Sequence, residues 1–386
     1  MLKYSKGLIL NFIIVTLYFL ALQFIVTVIA RYSRDIGIDV VKTGIIWSSL
    51  FLVSLILRPI AGYVADKTSS YLAMSIGALF LAISSLVYMY SKDFNVLLVG
   101  RLIQGAGNGF FVSPSITAVA IIAGKYAGMA LGLRSMIISM TSIVAPPIAG
   151  AITDLLGYTP VFTITLVLAL ITSTICGIAF KYEVKTADSN VINTRSTAKW
   201  RDAINLIVML SFLITIIGGG IFSSLSGILQ AHYRDIGYEA KIYGYFMMMF
   251  GLSSTVSRFL AGKLVSKKHP AKIAIVGYVL ISSSMIILYY NYYIPWSYIS
   301  AIVYGIGIGL TVPTLQFLVI SSVDKSVANR AMSIYAMGFD IGGLIMPLLL
   351  SHVASLYGYS YVYFYLSILP FVAVGALMII LYYQKQ

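Results

Sequence analysis

Long apolar segments follow one another along the whole chain, separated by short polar breaks or by breaks rich in glycine and proline. A membrane-spanning helix needs about 20 mostly apolar residues. Because 60% of the 386 residues are hydrophobic and only 10% are charged, a water-soluble enzyme, a disordered chain and a disulfide scaffold are excluded. We predict an all-α membrane protein with twelve transmembrane helices, at 7–30, 41–64, 71–90, 94–122, 129–153, 161–180, 204–230, 243–264, 273–290, 298–320, 331–351 and 361–382.

The lysines and arginines of the predicted loops are distributed unevenly between the two sides of the membrane. Sixteen of the 26 fall on the side that holds both termini, whereas six fall on the other side. Loops rich in lysine and arginine stay on the cytoplasmic side of a membrane. We therefore predict a multi-pass protein of the cell membrane with both termini in the cytoplasm.

The chain contains an internal repeat with an offset of about 200 residues. The sequence Arg-Asp-Ile-Gly occurs at 34–37 and again at 234–237. Further positions recur at the same offset or one residue beyond it. They are Arg58 with Arg258, Gly62 with Gly262, Gly105 with Gly305, Gly107 with Gly307, Gly109 with Gly309, Pro146 with Pro347 and Gly157 with Gly358.

The repeat divides the predicted helices into two sets of six. The longest polar stretch, residues 181–203, lies between the sixth and seventh spans. We interpret it as a cytoplasmic linker between a six-helix half at 1–180 and a second six-helix half at 204–386. Two parallel repeats around a central cavity are the plan of a transporter, because alternating access requires two similar bodies that move about one site.

Three segments carry motifs of a known family. Residues 58–67 (RPIAGYVADK) are similar to the Gly-x-x-x-Asp-Arg/Lys loop of the major facilitator superfamily, and residues 101–109 (RLIQGAGNG) match its Arg-x-x-Gln-Gly-x-Gly motif. Residues 145–150 (APPIAG) are similar to the Gly-Pro-x-x-Gly-Gly motif of drug:proton antiporters. The chain therefore resembles the 12-span drug:proton antiporter branch of this superfamily, along its whole length.

The resemblance implies a gate at the end of the second helix. The corresponding residues are Arg58, Gly62, Asp66 and Lys67, and in the family the matching aspartate latches the two halves at the start of a helix. The alternative is a solvated pair of loop charges. The resemblance also implies a helix-interface motif in the fifth span, made by Pro146, Ala149 and Gly150.

Arg101 lies about two turns inside a predicted span, where an isolated cation costs several kcal/mol. Arg101, Gln104, Asn108 and Ser115 share one face of that helix. Such a polar stripe indicates a water-filled cavity, and the resemblance implies that the arginine takes part in proton coupling. The alternative is a structural arginine that caps carbonyl groups between helices.

Asp340 is the one acidic residue predicted near the middle of the bilayer. A carboxyl group removed from water favours its neutral form, which makes Asp340 a second candidate for proton coupling. The alternative is a permanent ion pair with Arg101 or Arg134 that only holds helices together. Arg134 itself is interpreted either as part of a cytoplasmic network or as a side chain that reaches toward the interface.

The glycines of the seventh, fifth and eleventh spans admit two interpretations. Residues 218–220 (GGG) would weaken a helix and permit a gating bend, but crowding against a neighbouring helix would explain them equally. The small residues near 145–150 and 338–343 would allow either a sliding interface or ordinary close packing.

The resemblance implies a substrate cavity between spans one, four, seven and ten. An apolar and aromatic wall with few fixed charges suits a hydrophobic or weakly polar solute. The candidate residues are Gln23, Thr27, Gln104, Asn108, Phe111, Phe222, Ser226, Gln230, Tyr304 and Gln316.

We therefore predict a proton-coupled efflux transporter that acts as a monomer on a small solute. Its expected partners are the lipid bilayer, the solute and protons, and no nucleic acid. No cofactor, metal site or catalytic residue is expected, because the three histidines lack metal-ligand spacing and no phosphate-binding loop or nucleophile–base motif is visible. Two alternatives remain: proton symport or uniport of a sugar or organic acid, and a membrane sensor that no longer transports.

Overall fold

A computed structural model of the chain describes residues 6–186, 204–265, 269–324 and 327–384. Within these ranges the chain folds into twelve long helices and contains no strand, which confirms the predicted fold class. The helices are α1 Lys6–Asp35, α2 Val40–Lys67, α3 Ser70–Tyr90, α4 Phe94–Ala123, α5 Ala127–Leu156, α6 Tyr158–Thr186, α7 Leu206–Asp235, α8 Ala240–Val265, α9 Pro270–Tyr290, α10 Trp296–Ser321, α11 Ala328–Tyr357 and α12 Tyr359–Tyr383.

Eleven of these described helices are long and apolar enough to cross a membrane by length and composition, and α8 is not among them. The reason lies in residues 251–258 (GLSSTVSR), where five polar side chains interrupt the apolar sequence. Several helices are longer than the predicted spans, since polar turns continue the backbone hydrogen bonds beyond the apolar part. In particular, α6 continues to Thr186, so the first six residues of the predicted linker are helical. The remainder of that linker, 187–203, lies outside the described residues.

The chain forms two compact units. Unit 1 comprises Met1–Asn190 together with Gln230–Gly244, and therefore includes the end of α7 and the beginning of α8. In it α4 packs against α2 and α3, α3 packs against α6, and α1 packs against α5 and α6. Unit 2 comprises Val191–Leu229 and Tyr245–Gln386. In it α9 packs against α10 and α12, and α11 packs against both α10 and α12.

The sequence repeat is visible as repeated local geometry within each unit. In unit 1 a Cβ atom on Gly77 would lie 2.8 Å from the Gly107 carbonyl oxygen, so α3 and α4 touch through their backbones. In unit 2 a Cβ atom on Gly277 would lie 2.8 Å from the Gly307 carbonyl oxygen in the same way. Each crossing tolerates only glycine, because a larger residue would separate the two helices.

Candidate functional site

Arg101 is the centre of a buried hydrogen-bond network in unit 1. Its side chain is 1% exposed, and its Nε and Nη2 atoms donate to the backbone oxygens of Ile46 at 3.2 Å and Trp47 at 3.1 Å. Its Nη1 atom donates to Gln104 Oε1 at 2.7 Å, and the same oxygen accepts from the Tyr88 hydroxyl at 2.7 Å. The arginine therefore joins α4 to α2 and has the contacts of a structural arginine that caps carbonyl groups.

Tyr88 reaches this network because residue 100 is a glycine. A Cβ atom on Gly100 would lie 2.5 Å from the Tyr88 ring, so any side chain there would displace the tyrosine. Trp47 covers the other side, with the Arg101 guanidinium carbon 5.1 Å from its ring centroid. The sequence motif identified Arg101 and Gln104 but not Tyr88, whose helix carries no part of the motif.

The other cavity candidates of unit 1 also have specific partners. Asn108 Nδ2 donates to Ser54 Oγ at 3.1 Å, and Gln23 Nε2 donates to Ser142 Oγ at 2.5 Å. The Thr27 hydroxyl donates to the Gln23 carbonyl oxygen at 2.7 Å. These bonds fix the side chains of α1 and α4 against α2 and α5.

Two further candidates of unit 1 are fully buried. The ring of Phe111 stacks on the ring of Tyr18, with centroids 3.5 Å apart and an interplanar angle of 3°. Gln230 lies against α1, where its Nε2 donates to the Val26 carbonyl oxygen at 2.7 Å and its Oε1 accepts from the Ala30 amide at 3.3 Å. The Gln230 side chain therefore bonds both a carbonyl oxygen and the amide four residues later in α1.

The candidate gate at the end of α2 is described in part. Arg58 and Gly62 are half-buried, and a Cβ atom on Gly62 would meet nothing within 4 Å. The Lys67 ammonium lies 5.8 Å from the centroid of the Tyr63 ring. The side chain of Asp66 lies outside what the structure describes, so the latch implied for it stays a prediction.

Two candidates of unit 2, Phe222 and Tyr304, belong to an aromatic cluster. Phe222 on α7 lies 5.9 Å from Phe250 and 5.8 Å from Phe339, measured between ring centroids. The ring of Tyr304 stacks on Phe250 at 5.2 Å. Asp340, the residue after Phe339, is 2% exposed in the interior of α11. The two remaining candidates are Ser226, which is buried, and Gln316, which is half-buried.

Glycines bring α7 and α11 into backbone contact within unit 2. A Cβ atom on Gly219 would lie 2.5 Å from the Phe339 carbonyl oxygen, and one on Gly338 would lie 2.7 Å from the Phe212 carbonyl oxygen. The Ser223 hydroxyl donates to the Gly343 carbonyl oxygen at 3.2 Å. The two helices are therefore closely packed at these glycines.

The fifth-span motif faces the beginning of α8. A Cβ atom on Gly150 would lie 2.6 Å from the Lys241 Cα atom, and one on Gly244 would lie 2.6 Å from the Pro146 carbonyl oxygen. Ala149, which is fully buried, lies on the same segment of α5. The two backbones therefore meet without intervening side chains.

Asp154, at the end of α5, completes this contact. Its two carboxylate oxygens accept from the amides of Ala240 at 2.7 Å and Lys241 at 2.9 Å, which are the first residues of α8. A carboxylate at this position satisfies free amide groups and interacts favourably with the helix dipole. By contrast, α2 is capped locally, since Asp39 Oδ1 accepts from the Lys42 amide at 2.9 Å.

Asp39 itself lies in the loop before α2. Partial burial acts to raise the pKa of this carboxyl group, but hydrogen bonding to the Lys42 amide and the positive charge of Lys42 outweigh it. The pKa of Asp39 is therefore lower than its usual value, which keeps the cap charged.

The repeated Arg-Asp pairs form an ion-pair cluster within unit 1. Arg34 Nη2 lies 2.8 Å from Asp235 Oδ2, and Arg234 Nε lies 2.6 Å from Asp35 Oδ1. Arg234 Nη1 also lies 3.3 Å from Asp235 Oδ1, and Arg31 Nε lies 3.9 Å from Asp35 Oδ2. We call these five residues the Arg-Asp cluster. The sequence showed the repeated dipeptide, but the crossed pairing became visible only in the structure.

Twelve helices in repeated sets of six, with charged residues buried inside them, define a multi-pass membrane transporter. A sequence model of the Major Facilitator Superfamily matches residues 12–347. The chain belongs to the major facilitator superfamily, whose members are transporters and not enzymes.

Relatives of known name are similar along most of the chain. The multidrug resistance protein MdtG of Proteus mirabilis (strain HI4320) is 26% identical over 342 residues, which cover 85% of this chain and 83% of the relative. MdtG of Enterobacter lignolyticus (strain SCF1) is 25% identical over 327 residues, which cover 83% and 78%.

Solved structures share the fold at low sequence identity. A bacterial homologue of the human lysosomal transporter Spinster has a TM-score of 0.80 at 12% identity, covering 98% of this chain and 97% of the other. The nucleoside transporter NupG has a TM-score of 0.72 at 15% identity, covering 97% of this chain and 98% of the other. At such identities the likeness concerns the fold alone.

Proposed function

We propose that this transporter exports hydrophobic or weakly polar solutes across the cell membrane in exchange for protons. It acts as a monomer, with both termini in the cytoplasm. Its relatives named multidrug resistance proteins support efflux as the direction, and the asymmetry of loop charge supports the orientation.

The observation that carries proton coupling is the position of Asp340. It is 2% exposed and lies near the middle of α11, away from the helix ends that hold most of the acidic residues of the described helices. Burial in a medium of low dielectric favours the neutral carboxyl group, so binding and release of a proton can accompany a change in water access. For Arg101 we propose the structural role, which its hydrogen bonds to the backbone carbonyls of α2 support.

The aromatic cluster supports the proposed substrate class. Phe222, Phe250 and Tyr304 lie close to one another in unit 2, together with Phe339 beside Asp340. Aromatic surfaces bind apolar and aromatic solutes without requiring fixed charges. A solute held by these rings would therefore lie close to the proposed proton carrier.

The experiment is transport by purified protein in liposomes under an imposed pH gradient, with the aromatic dye ethidium as the probe. We expect the gradient to accelerate ethidium movement in the wild type. In Asp340→Asn we expect that acceleration to be lost, while exchange of ethidium without a gradient is retained. Asp93→Asn is the matched control, because Asp93 is an exposed helix cap and asparagine also caps helices well. Full gradient dependence in Asp340→Asn would contradict the proton-carrier role.

We further propose that the Arg-Asp cluster is a gate on the external side. Under the proposed orientation, the ends of α1 and α7 that hold these residues face away from the cytoplasm. The crossed ion pairs hold these two helix ends together while this side is closed. Because the pairs are partly exposed, water can replace them at modest cost when the gate opens.

A further inference from the structure

Arg134 lies in the interior of unit 1, and among the described residues its hydrogen bonds go only to neutral oxygens. The residue is 6% exposed on α5. Its Nη2 atom donates to Ser115 Oγ at 2.6 Å and to the Val112 carbonyl oxygen at 3.5 Å. Its Nε atom has no hydrogen-bond partner among the described residues. A buried cation without a counterion is costly, so this position favours an anion.

Aromatic rings form one wall beside this cation. The guanidinium carbon of Arg134 lies 5.7 Å from the centroid of the Phe19 ring. The Phe19 ring meets Phe111 edge to face at 6.4 Å, and Phe111 stacks on Tyr18. The Tyr18 hydroxyl is fully buried and also has no hydrogen-bond partner within the described ranges. The Tyr18 hydroxyl is therefore a second polar group beside these rings that could bind a ligand.

From these contacts we infer that Arg134 and Tyr18 form a binding site for the anionic group of an amphipathic aromatic solute. One guanidinium neutralises one carboxylate or sulfonate through charge-assisted hydrogen bonds, and the tyrosine hydroxyl supplies a further donor. The rings of Tyr18 and Phe19 contact the aromatic part of the solute. The inference adds amphipathic aromatic anions to the hydrophobic and weakly polar solutes of the proposed transport and therefore rests on the proposed function.

The experiment measures binding to the purified full-length protein in detergent. The probe is tritium-labelled naphthalene-2-sulfonate, a permanent monoanion, and the competitor is the neutral naphthalene-2-sulfonamide, which has the same rings. We expect the wild type to bind the sulfonate at least about tenfold more tightly than the sulfonamide, which is the size of one charge-assisted hydrogen bond.

Arg134→Gln is expected to weaken sulfonate binding at least about tenfold and to change sulfonamide binding by less than about twofold. The matched control is Lys92→Gln, which removes one positive charge from an exposed loop position and should leave both affinities unchanged. Tyr18→Phe preserves the ring that stacks on Phe111 and should weaken sulfonate binding about threefold, the size of one neutral hydrogen bond. This second variant tests the site even if Arg134→Gln folds poorly.

A wild type that binds both probes equally would overturn the inference, since the polar groups would then hold only water. Equal losses of both affinities in Arg134→Gln would also overturn it, because they would indicate a packing role. The results that would contradict the proposed function differ from those that would contradict the anion site. Sulfonate preference without gradient-driven ethidium movement would overturn proton-coupled export and leave the anion site standing, whereas the reverse result would overturn the anion site alone.

Discussion

Arg34 binds Asp235 through three hydrogen bonds, from Nε at 3.1 and 3.2 Å and from Nη2 at 2.8 Å. The two residues lie 201 positions apart, at adjacent positions of the repeated Arg-Asp dipeptide. The carboxylate thus accepts from two nitrogen atoms on one edge of the guanidinium, which is a stronger arrangement than a single contact between point charges. The side chains are 21% and 18% exposed, so part of this attraction is shielded from water.

If this pair is part of a gate, reversing one charge should impair transport and reversing both should restore it. We expect Arg34→Asp to lower ethidium transport several-fold, because two carboxylates would then face each other. The double variant Arg34→Asp with Asp235→Arg should recover at least half of the wild-type rate. Lys92→Asp, at an exposed loop position, is the control for net charge. Additive losses in the double variant would show that the pair does not act as a unit.

Replacement of Arg101 should destabilise unit 1. Arg101→Met would leave the Gln104 amide oxygen with one donor fewer, and the Ile46 and Trp47 carbonyl oxygens would lose the arginine. We expect a loss of about 1–3 kcal/mol of stability, measured as a lower unfolding temperature in detergent. The unfolding temperature of Arg101→Lys should lie between those of the wild type and Arg101→Met, since an ammonium cannot reproduce the planar set of donors. An unchanged unfolding temperature in Arg101→Met would show that the network contributes little.

The contact of α5 with α8 should depend on the absence of a side chain at residue 150. In Gly150→Ala the new methyl carbon would lie 2.6 Å from the Lys241 Cα atom, so the two backbones must separate. We expect transport to fall at least about fivefold, the equivalent of about 1 kcal/mol of strain at a moving contact. Gly132→Ala is a matched control on the same helix, because a Cβ atom there meets nothing within 4 Å. Similar transport in both variants would rule out a role for this close approach.

Asp154 should stabilise the first turn of α8. Asp154→Ala removes the acceptor for the amides of Ala240 and Lys241 and should cost about 1 kcal/mol, as the loss of a helix cap does. Hydrogen exchange of these two amides should accelerate roughly fivefold in Asp154→Ala and less in Asp154→Asn. Unchanged exchange in the alanine variant would mean that the backbone contact alone holds this helix start.

The apolar pattern and the repeat were sufficient to predict twelve helices and their division into sixes, because both signals are local or periodic. The partners of buried polar residues were not predictable in this way. Arg101 was recognised by its motif, but its bonds to Ile46 and Trp47 depend on the register of α2 against α4, which hydropathy does not specify. Helices that cross through glycine can slide by a turn without changing their apolar pattern.

The starts of α2 and α8 show the same limit at the level of the repeat. Asp39 caps α2 from within its own loop, whereas the equivalent residue, Glu239, pairs with Lys241 instead. The α8 cap comes from Asp154, 86 positions earlier than Ala240 in the sequence. The sequence shows that Glu239 is one methylene group longer than Asp39. It does not show that Asp154 takes over as the cap of α8. The sequence also did not predict the partners of Arg134. Neither a cytoplasmic network nor a side chain that reaches toward the interface included its hydrogen bonds to Ser115 and Val112.

The crossed pairing of the Arg-Asp cluster has a consequence for how the two repeats can diverge. A dipeptide with both signs of charge is self-complementary, so two identical copies that meet in opposite directions neutralise each other at once. Gene duplication could therefore produce both ion pairs without any compensating mutation. Afterwards each copy constrains the other, because a change of sign at residue 34 or 35 is compensated by an opposite change at residue 235 or 234. We therefore expect these four positions of the two repeats to change together during evolution.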